Sequence, residues 1–135
     1  MKKEMKEMAR TIIIGDVHGC LDELKEMLDK VAFDKSVDTL VFTGDIMDRG
    51  KQSYDAFQFV KALKEELGDR CHYVLGNHED FLLASQHDPH TFGIWTIYNG
   101  GADTCQDFED HGEKVYDYVD WIKENTDLYY EAEDY

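Results

Sequence analysis

Apolar and polar residues follow two different periods along the first eighty positions. Short apolar, β-branched runs at 11–14, 37–42 and 72–75 lead toward a glycine and predict buried strands. Between these runs, apolar residues recur at steps of three and four, which predicts two amphipathic helices. The two stripes are Leu21, Leu24, Leu28 and Val31, then Phe57, Val60, Leu63 and Leu67. Gly68 closes the second stripe as a predicted helix cap.

Strands that alternate with helices across short connections predict a parallel sheet with right-handed crossovers. Beyond Asn77 we expect a helix to about Gln86, a break at Asp88 and Pro89, and helical pieces through Trp95 and residues 115–122. The last nine residues, DLYYEAEDY, predict the start of another strand. With no repeat or linker, residues 1–135 form one predicted α/β domain, a βαβαβ sheet with flanking helices.

Composition narrows the class of protein. Thirty acidic residues against fourteen basic ones give a net charge of -16, which opposes binding to nucleic acid. Three widely spaced cysteines without a CxxC pattern favour a reducing, cytoplasmic setting. The amino terminus, MKKEMKEMAR, lacks the apolar core of a signal peptide, and no later run has the length of a membrane span.

All three predicted strands lead into side chains that can bind metal. Gly15 precedes Asp16 and His18, Gly44 precedes Asp45, and Gly76 precedes Asn77 and His78. The carboxyl ends of parallel strands meet at one edge of a sheet, so these side chains are expected to converge. Carboxylate, imidazole and amide donors together suit manganese, iron or zinc better than calcium.

The stretches GDVHG, GDIMDRG and GNHE resemble the three signature blocks of the calcineurin-like metallophosphoesterases, and the last two resemble its phosphoprotein phosphatase branch. The stretches IWTIYNGGADT and LYYEAEDY extend a resemblance to small bacterial and phage Ser/Thr protein phosphatases. The resemblance implies that the chain is the N-terminal portion of a four-layer αββα sandwich.

The resemblance also implies a site with two divalent metal ions that share a bridging hydroxide, manganese first and iron or zinc as alternatives. Asp16, His18 and Asp45 would hold the first ion, and Asp45 would bridge to a second ion that Asn77 also binds. The plain alternative for these residues is ordinary turn and cap chemistry.

Two catalytic roles and a phosphate-binding role follow from the same resemblance. His78 would protonate the leaving group while Asp48 orients its ring, and Arg49 with Asn77 would bind the substrate phosphate. A surface ion pair is the alternative for Asp48 and Arg49. Glu79 is interpreted as an acidic residue in a first helical turn and is left out of the site.

The chain lacks two later histidine blocks and a second arginine of the family pattern, so the second metal site is expected to be incomplete. Three interpretations stay open: a fragment of a longer phosphatase, a natural truncation, or completion by another copy. We favour the fragment, because a strand that stops in mid-pattern leaves an exposed sheet edge, which would also promote self-association.

The expected function is metal-dependent hydrolysis of phosphate monoesters, with phosphoserine or phosphothreonine in proteins as substrate. One alternative is cleavage of diadenosine tetraphosphate or another nucleotide, because the predicted site recognises phosphate more than what it is attached to. An alternative from a different class is a metal-binding or interaction module with little turnover.

Overall fold

A three-stranded parallel sheet forms the centre of the computed structural model, which describes residues 9–132. The strands are β1 (Thr11–Ile14), β2 (Thr39–Phe42) and β3 (Cys71–Tyr73), in the order β1-β2-β3. Ile14 lies beside Phe42, which lies beside Tyr73, so the three strands end level with one another. The predicted βαβαβ arrangement is confirmed.

Two helices cover one face of this sheet. Helix α1 (Leu21–Lys30) and helix α2 (Ser53–Leu67) bury most of the predicted stripes against alternate strand residues, except that Val31 lies just past α1 and is only half-buried. The shared core includes Ile14, Leu40, Phe42, Leu24, Leu28, Val60 and Leu63. Gly68 ends α2 at a φ of 58°, in the left-handed region that favours glycine, as its predicted cap role requires.

A second group of helices follows β3 and builds its own core. These are α3 (Asn77–Ser85), α4 (Pro89–Gly93), a π-helical turn (Ile94–Tyr98), α5 (Gly101–Asp110) and α6 (Val119–Asn125). Short 3₁₀ turns lie at Gly68–Arg70 and Val115–Tyr118. This second core contains Phe57, Leu82, Trp95, Phe108 and Ile122, all fully buried.

The structure adds one helix that the apolar pattern does not predict. Helix α5 buries Gly101, Thr104 and Phe108, of which only Phe108 is a large apolar residue. The break predicted before α4 is confirmed, because the Asp88 side chain accepts a hydrogen bond from the His90 N–H and Pro89 is the first residue of the helix.

The predicted C-terminal strand is wrong for the part of it that is described. Asp127 forms a single parallel bridge with Val74, and residues 128–132 form no strand. Leu128 is 83% exposed, so no second sheet neighbour covers it within residues 9–132. Residues 133–135, the rest of that prediction, lie outside the described residues, as do residues 1–8.

A buried carboxylate fixes where β1 and β2 begin. Asp38 accepts hydrogen bonds from the N–H groups of Arg10 and Asp34 and from the Arg10 guanidinium, at 2.9, 2.9 and 3.0 Å. These contacts turn the chain immediately before Thr39, so β2 starts two residues later than predicted.

Across residues 9–132, no helix is long and apolar enough to cross a bilayer.

Candidate active site

The loops that follow β1 and β2 are joined through their backbones at the carboxyl edge of the sheet. The N–H groups of Val17 and His18 donate to the Asp45 carbonyl at 3.1 and 2.9 Å, and the Gly19 N–H donates to the Ile46 carbonyl at 2.8 Å. This pairing holds the two predicted metal-binding loops in one fixed arrangement.

Side chains from these loops form a cluster that fits a divalent metal ion. One ligand atom each from Asp16, His18 and Asp45 lies within 4.8 Å of the others. His18 Nδ1 lies 2.9 Å from the Met47 carbonyl oxygen, which favours a proton on Nδ1 and leaves the lone pair on Nε2. Nε2 lies 3.6 Å from an Asp16 oxygen, so carboxylate and imidazole donors face one another.

The third loop brings the start of α3 to the same edge. Asn77 is the exposed first residue of that helix, and the N–H of His78 donates to Asp45 Oδ1 at 2.8 Å. The backbone beside Asn77 is thus attached to a residue of the cluster. The predicted role of Asn77 as a metal and phosphate ligand stays a prediction.

His78 and Asp48 form a buried pair beside this cluster. His78 Nδ1 lies 2.8 Å from an Asp48 oxygen, and the Asp48 side chain is only 1% exposed. The His78 ring also packs edge-on against His18, with 4.6 Å between ring centroids. The pair is buried, so the alternative of a surface ion pair does not describe Asp48.

Two further groups complete the surroundings of Asp48. Trp95 Nε1 donates to Asp48 Oδ2 at 2.6 Å, and Thr104 Oγ1 donates to Oδ1 at 2.5 Å. With three side-chain partners the carboxylate is held firmly, and the imidazole is left with one nitrogen, Nε2, for other contacts.

Arg49, the residue after Asp48, is exposed on the surface. Its guanidinium donates to Asn99 Oδ1 at 3.3 Å, and Gly100, at a φ of 84°, lies against its backbone. A Cβ at Gly100 would lie 2.5 Å from the Arg49 nitrogen, so only glycine fits there. The turn before α5 thereby supports the predicted phosphate-binding residue.

Unusual backbone conformations concentrate at this site. His18, Asp45, Asp48 and Arg49 have φ values of 45°, 53°, 75° and 73°, in the left-handed region. Each such residue costs roughly 1 to 3 kcal/mol and persists only when its surroundings enforce it. Four of the five described non-glycine residues with positive φ belong to the predicted site.

Sequence reasoning missed several residues that support the site, namely Glu79, Trp95, Asn99, Thr104 and Ser53, whose Oγ accepts a hydrogen bond from the Asp48 N–H at 3.0 Å. Most carry no motif, because they reach the site from other elements through tertiary contacts. Trp95 offers the clearest signal, since a buried indole N–H needs an acceptor. Glu79 lies in the first turn of α3, as predicted, but its side chain is completely buried.

Residues 9–133 match the family model described as calcineurin-like phosphoesterase. The chain belongs to this family. The resemblance drawn from GDVHG, GDIMDRG and GNHE is confirmed at the level of the family, and the parallel sheet with flanking helices agrees with the fold of its solved relatives.

Among calcineurin-like phosphoesterase relatives, the chain is 51% identical over 74 residues to a protein of Klebsiella pneumoniae (strain 342) named symmetrical bis(5'-nucleosyl)-tetraphosphatase. It is 47% identical over 74 residues to a protein of the same name from Actinobacillus succinogenes. These matches cover 55% of this chain and 25% and 26% of the two relatives. The chain thus spans about a quarter of the curated relatives it matches.

The fold of the chain is also similar to solved structures of phosphatases. A crystal structure named for a diadenosine tetraphosphatase superposes with a TM-score of 0.52 at 31% identity, over 70% of this chain and 40% of the other. A cold-active protein-tyrosine phosphatase of a psychrophilic Shewanella species gives a TM-score of 0.50 at 29% identity, over 64% and 30%.

Proposed function

We propose that this chain carries a metal-dependent phosphohydrolase site whose preferred substrate is a dinucleoside tetraphosphate. The observation that carries the proposal is the Asp16, His18 and Asp45 cluster next to the buried His78 and Asp48 pair. The substrate class is supported by the names of the relatives, which favour it over the phosphoprotein substrate expected from sequence.

Metal binding would involve Asp16, His18 and Asp45, with Asn77 at the helix start. Bound divalent ions would supply positive charge toward the phosphoryl oxygens and lower the pKa of bound water. The open position of the cluster suits this role, because the Asp16 side chain is 58% exposed, so that an ion held there would be within reach of a phosphate from solution.

Protonation of the leaving oxygen would fall to His78. Its Nδ1 is bound to Asp48, which leaves Nε2 to donate a proton as the phosphorus–oxygen bond breaks. Asp48 stabilises the protonated ring and fixes its orientation. Arg49, exposed and steadied by Asn99, would make a forked contact to a phosphate oxygen pair.

A phosphoprotein remains the second candidate substrate. It is favoured by the resemblance of IWTIYNGGADT to small protein phosphatases and by the fold shared with the Shewanella protein-tyrosine phosphatase. The described polar groups would recognise phosphate, which both substrate classes provide.

The test compares substrates on the purified chain with Mn²⁺. Diadenosine tetraphosphate should be hydrolysed with a kcat/KM at least about tenfold above that for a phosphoserine peptide, a difference of roughly 1.4 kcal/mol in transition-state binding. Asp16→Asn should remove turnover, whereas Asp80→Asn, an exposed acid in α3, should not. Chromatographic separation of nucleotide products and a phosphate assay give the two rates.

Each other outcome has a definite meaning. Faster hydrolysis of the phosphopeptide would overturn the proposed preference in favour of a protein phosphatase. Tight Mn²⁺ binding without turnover of either substrate would overturn the enzyme and support a metal-binding module.

A further inference from the structure

Glu79 lies beneath the metal cluster with its carboxylate wholly enclosed, at 0% exposure. Its Oε1 accepts hydrogen bonds from the N–H groups of Asp45 and Gly76, at 2.7 and 3.1 Å. Its Oε2 accepts from the Ile46 N–H and the Tyr73 hydroxyl, both at 2.9 Å. One side chain therefore contacts β3 and the loops that follow both β2 and β3.

All four of these partners donate, so the ionised carboxylate is the form that matches them. Three of the four are backbone N–H groups, which can only donate and so need a lone pair on Glu79. Only the Tyr73 hydroxyl could accept from a protonated carboxyl group, and it would then have to stop donating to Glu79. Burying a charged carboxylate is costly unless hydrogen bonds replace its water, and these four partners supply that replacement.

The two loops joined by Glu79 are those that carry Asp45 and Asn77. Asp45 has a φ of 53°, a conformation that its own side chain does not favour, and its N–H and that of Ile46 are both held by Glu79. Gly76, the third backbone partner, directly precedes Asn77. The carboxylate thus sets the turn that aims Asp45 and the turn that begins α3.

The chain is closely packed around this contact. A Cβ added to Gly44 would lie 2.3 Å from the Gly76 nitrogen, and one added to Gly76 would lie 2.6 Å from Glu79 Oε1. The β2 and β3 loops therefore touch backbone to backbone, and Glu79 adds hydrogen bonds between them to the one from the His78 N–H to Asp45.

We infer that Glu79 is a positioning residue for metal binding, which it serves by holding the Asp45 and Gly76 turns in place before an ion arrives. The inference rests on the proposed metal site. Groups that orient metal ligands in this indirect way typically change affinity by about 10- to 100-fold when they are replaced.

The first test is Glu79→Gln, compared with Asp80→Asn in the full chain. Glutamine keeps the size of the side chain, but its NH₂ group must face at least one backbone N–H donor, so the Asp45 and Ile46 turn should loosen. Asp80→Asn removes one negative charge from the neighbouring, exposed position of the same helix. Calorimetric titration with Mn²⁺ should give a Kd raised about 10- to 100-fold for Glu79→Gln and within about threefold of the wild type for Asp80→Asn.

A second measurement uses the wild-type protein alone, in case Glu79→Gln does not fold. The metal-free chain should protect the Asp45, Ile46 and Gly76 amides from hydrogen exchange as strongly as the amides of β2. Free exchange at these three amides would overturn the positioning role.

The remaining outcomes separate the inference from the proposed function. If Glu79→Gln binds Mn²⁺ as tightly as the wild type, and Asp16→Asn does not bind it, the positioning role is wrong and the metal site stands. If the wild-type chain binds no Mn²⁺, both are overturned.

Discussion

At the scale of single residues, the Asp48 carboxylate both joins three elements of the fold and contacts His78, the proposed general acid. It accepts from His78 in α3, from Trp95 in the π-helical turn and from Thr104 in α5. Hydrogen bonds to a buried charged group each contribute about 1.5 to 3 kcal/mol. Losing the carboxylate should therefore affect both the orientation of His78 and the packing of the second core.

Replacement of Asp48 by asparagine tests this double role. The amide has a single oxygen for three donors, so we expect kcat for p-nitrophenyl phosphate with Mn²⁺ to fall by about 100-fold or more. The free energy of unfolding in urea should fall by roughly 1 to 3 kcal/mol. Thr104→Val, which removes one of the donors, is the control and should have the smaller effect on kcat. An Asp48→Asn enzyme with wild-type kcat would contradict the assigned role of the pair.

Individual residues also show what the sequence could predict. Asp16, His18 and Asp45 are found together, as the strand-end pattern predicts, because parallel strands bring their ends to one edge. Trp95 and Thr104 could not be assigned in this way, since their contacts with Asp48 span 47 and 56 positions of sequence. Their part in the site depends on how the second group of helices packs.

At the scale of elements, the strands of the sheet are very short, and side-chain hydrogen bonds hold their ends together. β1 and β2 each have four residues, and β3 has three. Asp38 joins the start of β1 to the start of β2 through Arg10, and Arg70 donates to the Asp38 carbonyl at 2.7 Å. Asp38 thus fastens the end of the sheet opposite the candidate site.

The contribution of Asp38 should depend on pH. Burial alone would raise the pKa of Asp38, but hydrogen bonds from the Arg10 and Asp34 N–H groups and the Arg10 guanidinium lower it below its ordinary value of 3.8. Because the pKa of Asp38 is lower in the folded than in the unfolded protein, its ionised carboxylate stabilises the fold at pH values above the unfolded-state pKa. This stabilisation is lost as the pH falls through the folded-state pKa. At neutral pH, Asp38→Asn should reduce the free energy of unfolding by roughly 1 to 3 kcal/mol.

Urea denaturation at a series of pH values checks this prediction. The difference between the wild type and Asp38→Asn should be constant near neutrality and should narrow below about pH 4, because only the wild type can lose the charge. Asp34→Asn serves as the comparison variant and should change the free energy of unfolding less than Asp38→Asn, because the Asp34 side chain is exposed. A difference that does not change with pH would show that the charge of Asp38 contributes nothing.

Elements differ in how well the apolar pattern predicted them. Helices α1 and α2 were predicted because each presents a regular stripe to the sheet. Helix α5 was not, because it buries Gly101 and Thr104 where a stripe would have large apolar residues. The final strand was predicted from composition alone, but a strand also needs a neighbour, and beyond Asp127 the described chain has none.

At the scale of the whole molecule, the net charge of -16 and the open edge of the sheet have opposite effects on association between copies of the chain. Among residues 9–132, β1 pairs on one side only, and its Ile13 side chain is 63% exposed. Exposed strand edges favour association between copies, whereas a large net charge of one sign opposes it. The self-association expected from sequence stays a prediction, and we expect it to strengthen as salt screens the repulsion.

Sedimentation velocity can test the predicted association. The wild-type sedimentation coefficient should rise with protein concentration, and more steeply at high salt. Ile13→Lys should abolish this rise, because a charge would be placed on the exposed strand. Ile97→Lys serves as the matched control, since Ile97 is 72% exposed but lies outside the sheet. Equal behaviour of the two variants would exclude β1 as the contact.

The left-handed turns at His18, Asp45, Asp48 and Arg49 have an evolutionary consequence. Glycine at any of these positions would relax the backbone, yet it would delete a side chain of the candidate site. Selection for thermal stability alone would therefore favour glycine at these positions and yield an inactive protein. Selection for turnover would keep the side chains together with their strained backbone.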